Sequence, residues 1–153
     1  MSNSNTRVTA KTDINAFTTK YQGISAVLIN DVSVVCGTAS YEAKALWDTG
    51  AFATCISRRF ADDMHLVPTG KQKIQTPSGS MDVVNYLVDV ILPNDVTVPD
   101  VVVFETAIGN HGFDLLIGMD IISLGDFAVS NYEQKTSFSF RIPSMGETDY
   151  TGD

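Results

Sequence analysis

The sequence predicts an all-β protein, built as a barrel or a sandwich. Its runs of apolar and β-branched residues are short, as in "DVSVVC", "DVVVF" and "SFSFR". Gly, Pro, Asn and Asp separate these runs at frequent intervals, a pattern typical of many strands joined by tight turns. The length of 153 residues suits one domain, and the chain contains no internal repeat or low-complexity linker.

The predicted elements follow one another along the chain. The predicted strands cover residues 21–30, 31–36, 42–47, 53–57, 73–75, 81–92, 96–104, 115–117, 127–131 and 136–141. Hairpin turns are predicted near Asn30-Asp31 and within "TPSGS", "PND" and "YEQK". Short helices are predicted at 58–66 and 119–124. Residues 1–15 are polar and predicted to be disordered, residues 16–142 form the folded domain, and residues 143–153 form a loose acidic tail.

The net charge argues against several classes of partner. It is −8, and no cluster of Lys and Arg is present, so the sequence predicts no nucleic-acid binding and no attraction to anionic membranes. No apolar run approaches the roughly 20 residues that a membrane helix requires. The N-terminus has no apolar signal-peptide core. We therefore expect a cytoplasmic protein with no membrane partner.

The cysteine and histidine residues do not form a recognisable metal or disulfide pattern. Cys36 and Cys55 each lie in an apolar, strand-like context, which predicts two buried free thiols. His65 and His111 show no ligand spacing with the cysteines or with each other, and we expect both at the surface. The sequence therefore predicts neither a metal nor an organic cofactor.

One carboxylate stands out because an apolar strand, "ALW", leads directly into it. Asp48 begins the loop "DTGA", after which "FATCIS" continues as a strand. An ionised carboxylate next to buried apolar residues is costly unless it has hydrogen-bond partners or a chemical role. Two interpretations are open: Asp48 is a turn residue that caps a loop, or it is the reactive group of an active site.

Three segments together favour the active-site interpretation. In order along the chain, "LWDTGA", "TPSGSMDV" and "FDLLIGMDII" resemble the signature segments of the retropepsin-like, or retroviral-type, aspartic proteases. The resemblance covers roughly residues 21–141. It implies a closed or partly open β-barrel with one or two short helices, which forms half of a two-fold dimer and hydrolyses peptide bonds.

The chemistry of this family explains why the motif has these residues. Two carboxyl groups about 3 Å apart share one proton, so that one activates a water and the other donates to the amide carbonyl. This chain contains a single Asp-Thr-Gly, and neither Asp120 nor Asp126 heads a matching loop. The resemblance therefore implies a homodimer in which each chain supplies Asp48. Thr49 is expected to tie the two loops together, and Gly50 to let backbone amides approach the carboxylate.

The resemblance also assigns the peptide-binding residues. "TPSGS" resembles the flap, a hairpin that closes over a substrate bound in extended conformation. The expected substrate-binding residues are Ala51 in the loop, the flap residues Pro77, Ser78, Gly79 and Ser80, and the apolar wall residues Ile74, Val83 and Leu116. A plain surface turn at Gly79 is the alternative to a moving flap.

The sequence departs from the family pattern next to the second glycine motif. Many retroviral enzymes carry Arg after that glycine, where it helps to hold the dimer, whereas here Met119 follows Gly118. Gly118 could also serve simply to end a buried strand, which is compatible with either interpretation. The departure keeps two other functions open: a peptide-binding or dimerisation module of the same fold that has lost turnover, and a plain structural β-domain. Trp47 and Tyr86 are expected to pack in the core or at an interface.

Overall fold

The computed structural model describes residues 6–11, 15–107 and 112–152, which form eleven strands and two short α-helices. The strands are β1 (Thr6–Lys11), β2 (Ala16–Tyr21), β3 (Ile29–Cys36), β4 (Ala39–Trp47), β5 (Cys55–Ser57), β6 (Gly70–Thr76), β7 (Gly79–Ile91), β8 (Thr97–Thr106), β9 (Leu115–Ile117), β10 (Asp126–Ser130) and β11 (Ser137–Arg141). The helices are α1 (Arg58–Asp63) and α2 (Met119–Ile122). The prediction of an all-β fold with one or two short helices is therefore confirmed.

A closed barrel forms the body of the molecule. Its strands follow the order β3, β4, β9, β5, β8 and β7, and a pairing between β3 and β7 closes the ring. The short strand β9 runs parallel to β4 and antiparallel to β5, so it joins the two strands that flank the Asp48 loop. Strand β6 lies outside the ring and pairs with β7 alone. The β6–β7 hairpin therefore extends beyond the barrel.

A second, antiparallel sheet has the strand order β1, β2, β11 and β10. Residues 6–11, predicted to be disordered, instead form β1, and all six pair with β2. The prediction failed there because it judged the polar composition, whereas strand pairing is made by backbone groups that every residue carries. The other residues of the predicted disordered segment, except Asn15, lie outside the described residues.

An aromatic cluster joins the second sheet to the barrel. Trp47, at the end of β4, stacks on Phe127 with a centroid separation of 5.7 Å and an interplanar angle of 9°. Its other aromatic neighbours are Phe17, Phe138 and Phe140, all of which are fully buried. The prediction that Trp47 and Tyr86 pack in the interior is confirmed, since both are buried.

The predicted hairpin turn at Asn30-Asp31 is wrong. Strand β3 runs straight through these residues, and the chain reverses instead near Gly37, whose φ of 59° suits a tight turn. Asn30 is buried and accepts a hydrogen bond from Trp47 Nε1 at 2.9 Å, while its amide nitrogen donates to Thr19 Oγ1 at 3.2 Å. Because the side chain of Asn30 has hydrogen-bond partners in the interior, Asn30 can lie within a buried strand. The local sequence does not reveal these partners, since they are distant along the chain.

The other predicted turns and helices are confirmed. Hairpins join β6 to β7 at "TPSGS", β7 to β8 at "PND" and β10 to β11 across "YEQK". Helix α1 begins after Ser57, whose hydroxyl accepts a hydrogen bond from Phe60 N at 3.1 Å. This N-cap satisfies one of the unpaired amides of the first turn. Residues 143–152, the described part of the predicted acidic tail, are exposed and contain no helix or strand.

The connection from α2 to β10 has room for glycine alone. A β-carbon at Gly125 would overlap the carbonyl oxygen of Arg141 on the neighbouring strand. We predict that Gly125→Ala lowers the free energy of unfolding by about 3 kcal/mol, because backbone on both sides must shift. Gly23→Ala is the control, since no atom lies within 4 Å of the added carbon. Denaturant unfolding of the two variants tests this, and equal stabilities would contradict it.

Candidate active site

Asp48 lies at the end of β4, where the chain leaves the barrel wall. The residue is half-buried, and its amide donates to the carbonyl oxygen of Ile117 on β9 at 2.9 Å. The parallel β4–β9 pairing ends at Trp47 and Ile117, so this hydrogen bond continues the ladder by one step. The barrel therefore fixes the backbone at the point where the Asp48 loop begins.

The loop folds back on the carboxylate of Asp48. Gly50 N donates to Asp48 Oδ1 at 2.8 Å, and Ala51 N donates to the carbonyl oxygen of Asp48 at 3.2 Å. A β-carbon on Gly50 would lie 3.1 Å from Oδ1, tighter than most side-chain contacts. Thr49 is exposed, and among the described residues its hydroxyl has no hydrogen-bond partner. Glycine at position 50 thus lets a backbone amide face the carboxylate directly.

The β9–α2 corner, residues 117–120, lies against the other end of the Asp48 loop, which comprises residues 48–54. Met119 N donates to the carbonyl oxygen of Ala51 at 2.7 Å, and Asp120 N donates to that of Phe52 at 3.2 Å. A β-carbon at Gly118 would lie 2.7 Å from the carbonyl carbon and oxygen of Ala53. Gly118 is therefore required for this close packing of two backbone segments, which is a stronger constraint than the ending of a strand.

The two other carboxylates that follow the second glycine motif are already engaged within the chain. Both oxygens of Asp120 accept hydrogen bonds from Thr54. Asp126 accepts hydrogen bonds from Ser144, Met145 and Arg141, which hold its pKa well below the usual range for Asp. Neither carboxylate is arranged as a second acid for Asp48.

A groove of about 740 Å³ opens between the Asp48 loop and the β6–β7 hairpin. It is lined by Ala51, Phe52, Ala53, Cys55, Gln72, Ile74, Gln75, Met81, Val83, Phe104, Glu105, Thr106 and Ala107. Ile74 pairs with Met81, and Gln72 pairs with Val83, so these four side chains lie on one face of the hairpin. The groove is therefore bounded by an apolar hairpin face on one side and by the loop on the other.

The groove brings together only some of the expected substrate-binding residues. Ala51, Ile74 and Val83 line it. Leu116 is half-buried on β9, opposite Cys55, and does not line the groove. The tip residues Pro77, Ser78, Gly79 and Ser80 are exposed and also lie outside its lining.

The hairpin tip is held by Thr76, whose hydroxyl donates to the carbonyl oxygen of Gly79 at 2.7 Å. Gly79 has a φ of 125°, a backbone conformation that side chains with a β-carbon strongly disfavour.

A family profile described as aspartyl protease matches residues 27–121. The chain belongs to the aspartyl protease family. The match spans the Asp48 loop, the β6–β7 hairpin and the β9–α2 corner, the three segments on which the resemblance to retropepsin-like enzymes depends.

One solved structure shares the fold over most of this chain. A crystal structure of a retropepsin-like aspartic protease from Rickettsia conorii superposes with a TM-score of 0.54 at 12% identity, covering 93% of this chain and 99% of that chain. The simian foamy virus (mac) protease, in solution, has a TM-score of 0.45 at 22% identity, covering 61% and 89%. The retroviral protease-like domain of Ddi1 from Leishmania major has a TM-score of 0.40 at 19% identity, covering 61% and 74%. A comparison with curated proteins found no match.

This member of the aspartyl protease family has site residues that sequence reasoning missed. Phe52, Cys55 and Met81 line the groove, and Phe52 is 84% exposed. Burial, followed by the charges of Asp120 and Asp48, raises the pKa of the Cys55 thiol. Cys36 and Cys55 are free, as predicted, but half-buried and not fully buried. The alternation of "TCIS" after the motif could have placed Cys55 on the groove side of β5, but nothing local distinguishes Phe52.

Within the described residues, no group of three or more His, Cys, Asp or Glu side chains is arranged to hold a metal ion. None of the described helices is long and apolar enough to cross a membrane. His65 is exposed, while His111 lies outside the described residues.

Proposed function

We propose that this aspartyl protease family member is an aspartic endopeptidase, active as a homodimer in which each chain supplies Asp48. The observation that carries the proposal is the geometry of the Asp48 loop. Asp48 is a half-buried residue at the end of a barrel strand, its carboxylate accepts a hydrogen bond from the Gly50 amide at 2.8 Å, and its loop continues through Ala51 into the groove wall. A carboxylate held in this way beside an apolar groove is suited to acid–base chemistry on a bound peptide.

The proposed reaction uses the two Asp48 carboxyl groups as one unit. Two carboxylates at short range cannot both ionise, so the pair retains one proton. The ionised partner removes a proton from a water, which attacks the amide carbonyl, while the protonated partner donates to the carbonyl oxygen. The C–N bond of the tetrahedral intermediate then breaks: the leaving nitrogen takes up the proton that was removed from the water, and the hydroxyl formed from the carbonyl oxygen returns its proton to the other carboxylate. The titration behaviour belongs to the pair and not to either residue.

The second carboxylate comes from a second chain in this proposal. Asp120 and Asp126 are occupied by hydrogen bonds within the chain, as described above. A two-fold axis beside the loop would place Asp48 and the exposed Thr49 of each chain opposite their counterparts. The Thr49 hydroxyl is then placed to bond with the partner's loop.

The substrate class follows from the groove and the hairpin. An extended peptide presents its own backbone groups and alternating side chains, which suit a groove bordered by a β-hairpin. The apolar face formed by Ile74, Met81 and Val83 supports a preference for apolar residues near the scissile bond. The hairpin acts as the flap, which excludes water from the reaction.

A peptide-binding module without turnover is the second candidate function. It is favoured by Met119, which stands where many retroviral enzymes carry the Arg that helps to hold the dimer. A transition-state mimic of the pepstatin type, combined with an unfolded protein as substrate, distinguishes the two functions. An endopeptidase binds the mimic and cleaves the protein, whereas a module without turnover leaves the protein intact.

Asp48→Asn is predicted to lower kcat by about 10³-fold, because an amide neither acts as a base nor shares the proton of the pair. Asp31→Asn is the matched control, since Asp31 is exposed on β3 on the far side of β4 from β9. Peptide cleavage and circular dichroism are measured on both variants. Full activity of a folded Asp48→Asn protein would rule out this mechanism.

Mixing chains tests whether the dimer is the catalytic unit. With wild-type protein fixed and Asp48→Asn added in ninefold excess, we predict that activity falls to about a tenth, because random exchange leaves few wild-type homodimers. The same excess of Asp31→Asn should leave the activity undiminished. Subunit exchange is confirmed separately by fluorescence transfer between labelled chains. Constant activity despite proven exchange would show that one chain supplies both acids.

Gly79→Val tests the flap. Both Gly79 and Gly37 have a positive φ at a hairpin turn with open space for a β-carbon, so valine at either position costs roughly 1–3 kcal/mol of backbone strain. We predict that Gly79→Val lowers kcat/KM about tenfold or more, whereas Gly37→Val leaves it unchanged. Equal kcat/KM values for the two folded variants would show that the β6–β7 tip is an ordinary turn with no role in activity.

A further inference from the structure

Asp120 lies outside the Asp-Thr-Gly motif, yet it makes a concentrated set of hydrogen bonds to the Asp48 loop. Its Oδ1 accepts from Thr54 Oγ1 at 2.7 Å and from Ile121 N at 2.9 Å, and its Oδ2 accepts from Thr54 N at 2.9 Å. Two of these three donors belong to one residue of the loop. The carboxylate therefore clamps Thr54 through both its backbone and its side chain.

Thr54 is the centre of this arrangement. It is fully buried, and its hydroxyl donates to Asp120 while accepting from Gly118 N at 3.3 Å. Hydrogen bonds to a charged acceptor are stronger than neutral ones, and a buried group that loses its partner costs more than the bond itself is worth. Thr54 is thus fixed to both ends of the β9–α2 corner.

The same corner also holds the beginning of the loop. The Asp48 amide bonds to Ile117, and the Ala51 carbonyl accepts from Met119, so bonds to residues 117–120 occur at both ends and in the middle of the loop. Thr54 is the last residue of the loop before β5 begins. The corner that accepts the Asp48 amide is the same one that Thr54 bonds to, so loss of the Thr54 bonds loosens the corner and, through it, the Asp48 end of the loop.

We infer that Asp120 is a positioning residue: its carboxylate, acting through Thr54, sets the place of Asp48 for the reaction. This inference rests on the proposed function for its catalytic consequence, but the hold on the loop is independent of it. Asp120 touches no reacting atom in this account. Both of its oxygens already accept hydrogen bonds within the chain, so it is not proposed as the second acid.

The experiment compares two threonines in matched settings. Thr54→Val removes the hydroxyl from the clamp, and Thr54→Ser keeps it. Thr136→Val is the control, because Thr136 is equally buried and its hydroxyl likewise donates to a side-chain oxygen, that of Asn131 at 2.7 Å, and accepts from an amide, Ser25 N at 2.9 Å. Asp120→Asn completes the set. Dimer content is measured by sedimentation, so that activity is expressed per dimer.

The expected result separates positioning from stability. Thr54→Val and Asp120→Asn should lower kcat about 10- to 100-fold with KM changed by less than about threefold, because a small displacement of a reacting group is felt in the chemical step. Amide hydrogen exchange at Asp48 and Met119 should become about tenfold faster than in Thr136→Val of equal stability. Thr54→Ser should restore both readouts, and Thr136→Val should keep wild-type kcat.

Each contrary outcome has a distinct meaning. A Thr54→Val protein with wild-type kcat and unchanged exchange at Asp48 overturns the inference. If Asp120→Asn abolishes activity while Thr54→Val does not affect it, Asp120 acts as an acid and not through the clamp. A wild-type protein that cleaves no peptide refutes the proposed function instead, and the exchange rates at Asp48 and Met119 then decide alone whether the clamp holds the loop.

Discussion

The interlock between the Asp48 loop and the β9–α2 corner is the constraint on which the site depends. Strand β9 lies between β4 and β5, the strands that enter and leave the loop, and it pairs with both. The corner that follows β9 then packs so closely on the loop that Gly118 has no space for a β-carbon. Each backbone hydrogen bond contributes only about 1 kcal/mol, but several of them join the same two short segments. The loop is therefore held in one conformation by several hydrogen bonds to the corner.

The barrel and the β6–β7 hairpin differ in local stability. The barrel closes on itself through the β3–β7 pairing, so its strands have neighbours on both sides. Strand β6 has one neighbour, and most of its residues are exposed. Segments with few buried contacts open at lower free energy than the core to which they are attached. The fold therefore combines a loop held by the barrel with a hairpin that opens at lower free energy than the barrel.

Sequence reasoning succeeded where the signal is local and failed where it is not. Turn residues in "TPSGS" and "PND" located two hairpins, and an apolar run before Asp48 located the loop at the end of a strand. The Asn30-Asp31 pair indicates a turn locally, whereas the two side-chain partners that keep Asn30 in a strand, Thr19 and Trp47, are distant in the chain. The bond between Thr54 and Asp120, 66 residues apart, was invisible for the same reason. Composition alone likewise could not reveal the backbone pairing of β1.

An ordered loop in the single chain has a consequence for the proposed dimer. Bonds within one chain already hold residues 48–54, so the loop does not have to be ordered when two chains meet. Association therefore loses less conformational entropy than it would if the second chain had to fold the site. In the proposed dimer the shared proton belongs to the pair of carboxyl groups, whereas the bonds that hold each Asp48 loop are already present in one chain. The chemistry of the proposed dimer thus depends on association, whereas the loop that carries Asp48 is already held within each chain by bonds to residues 117–120.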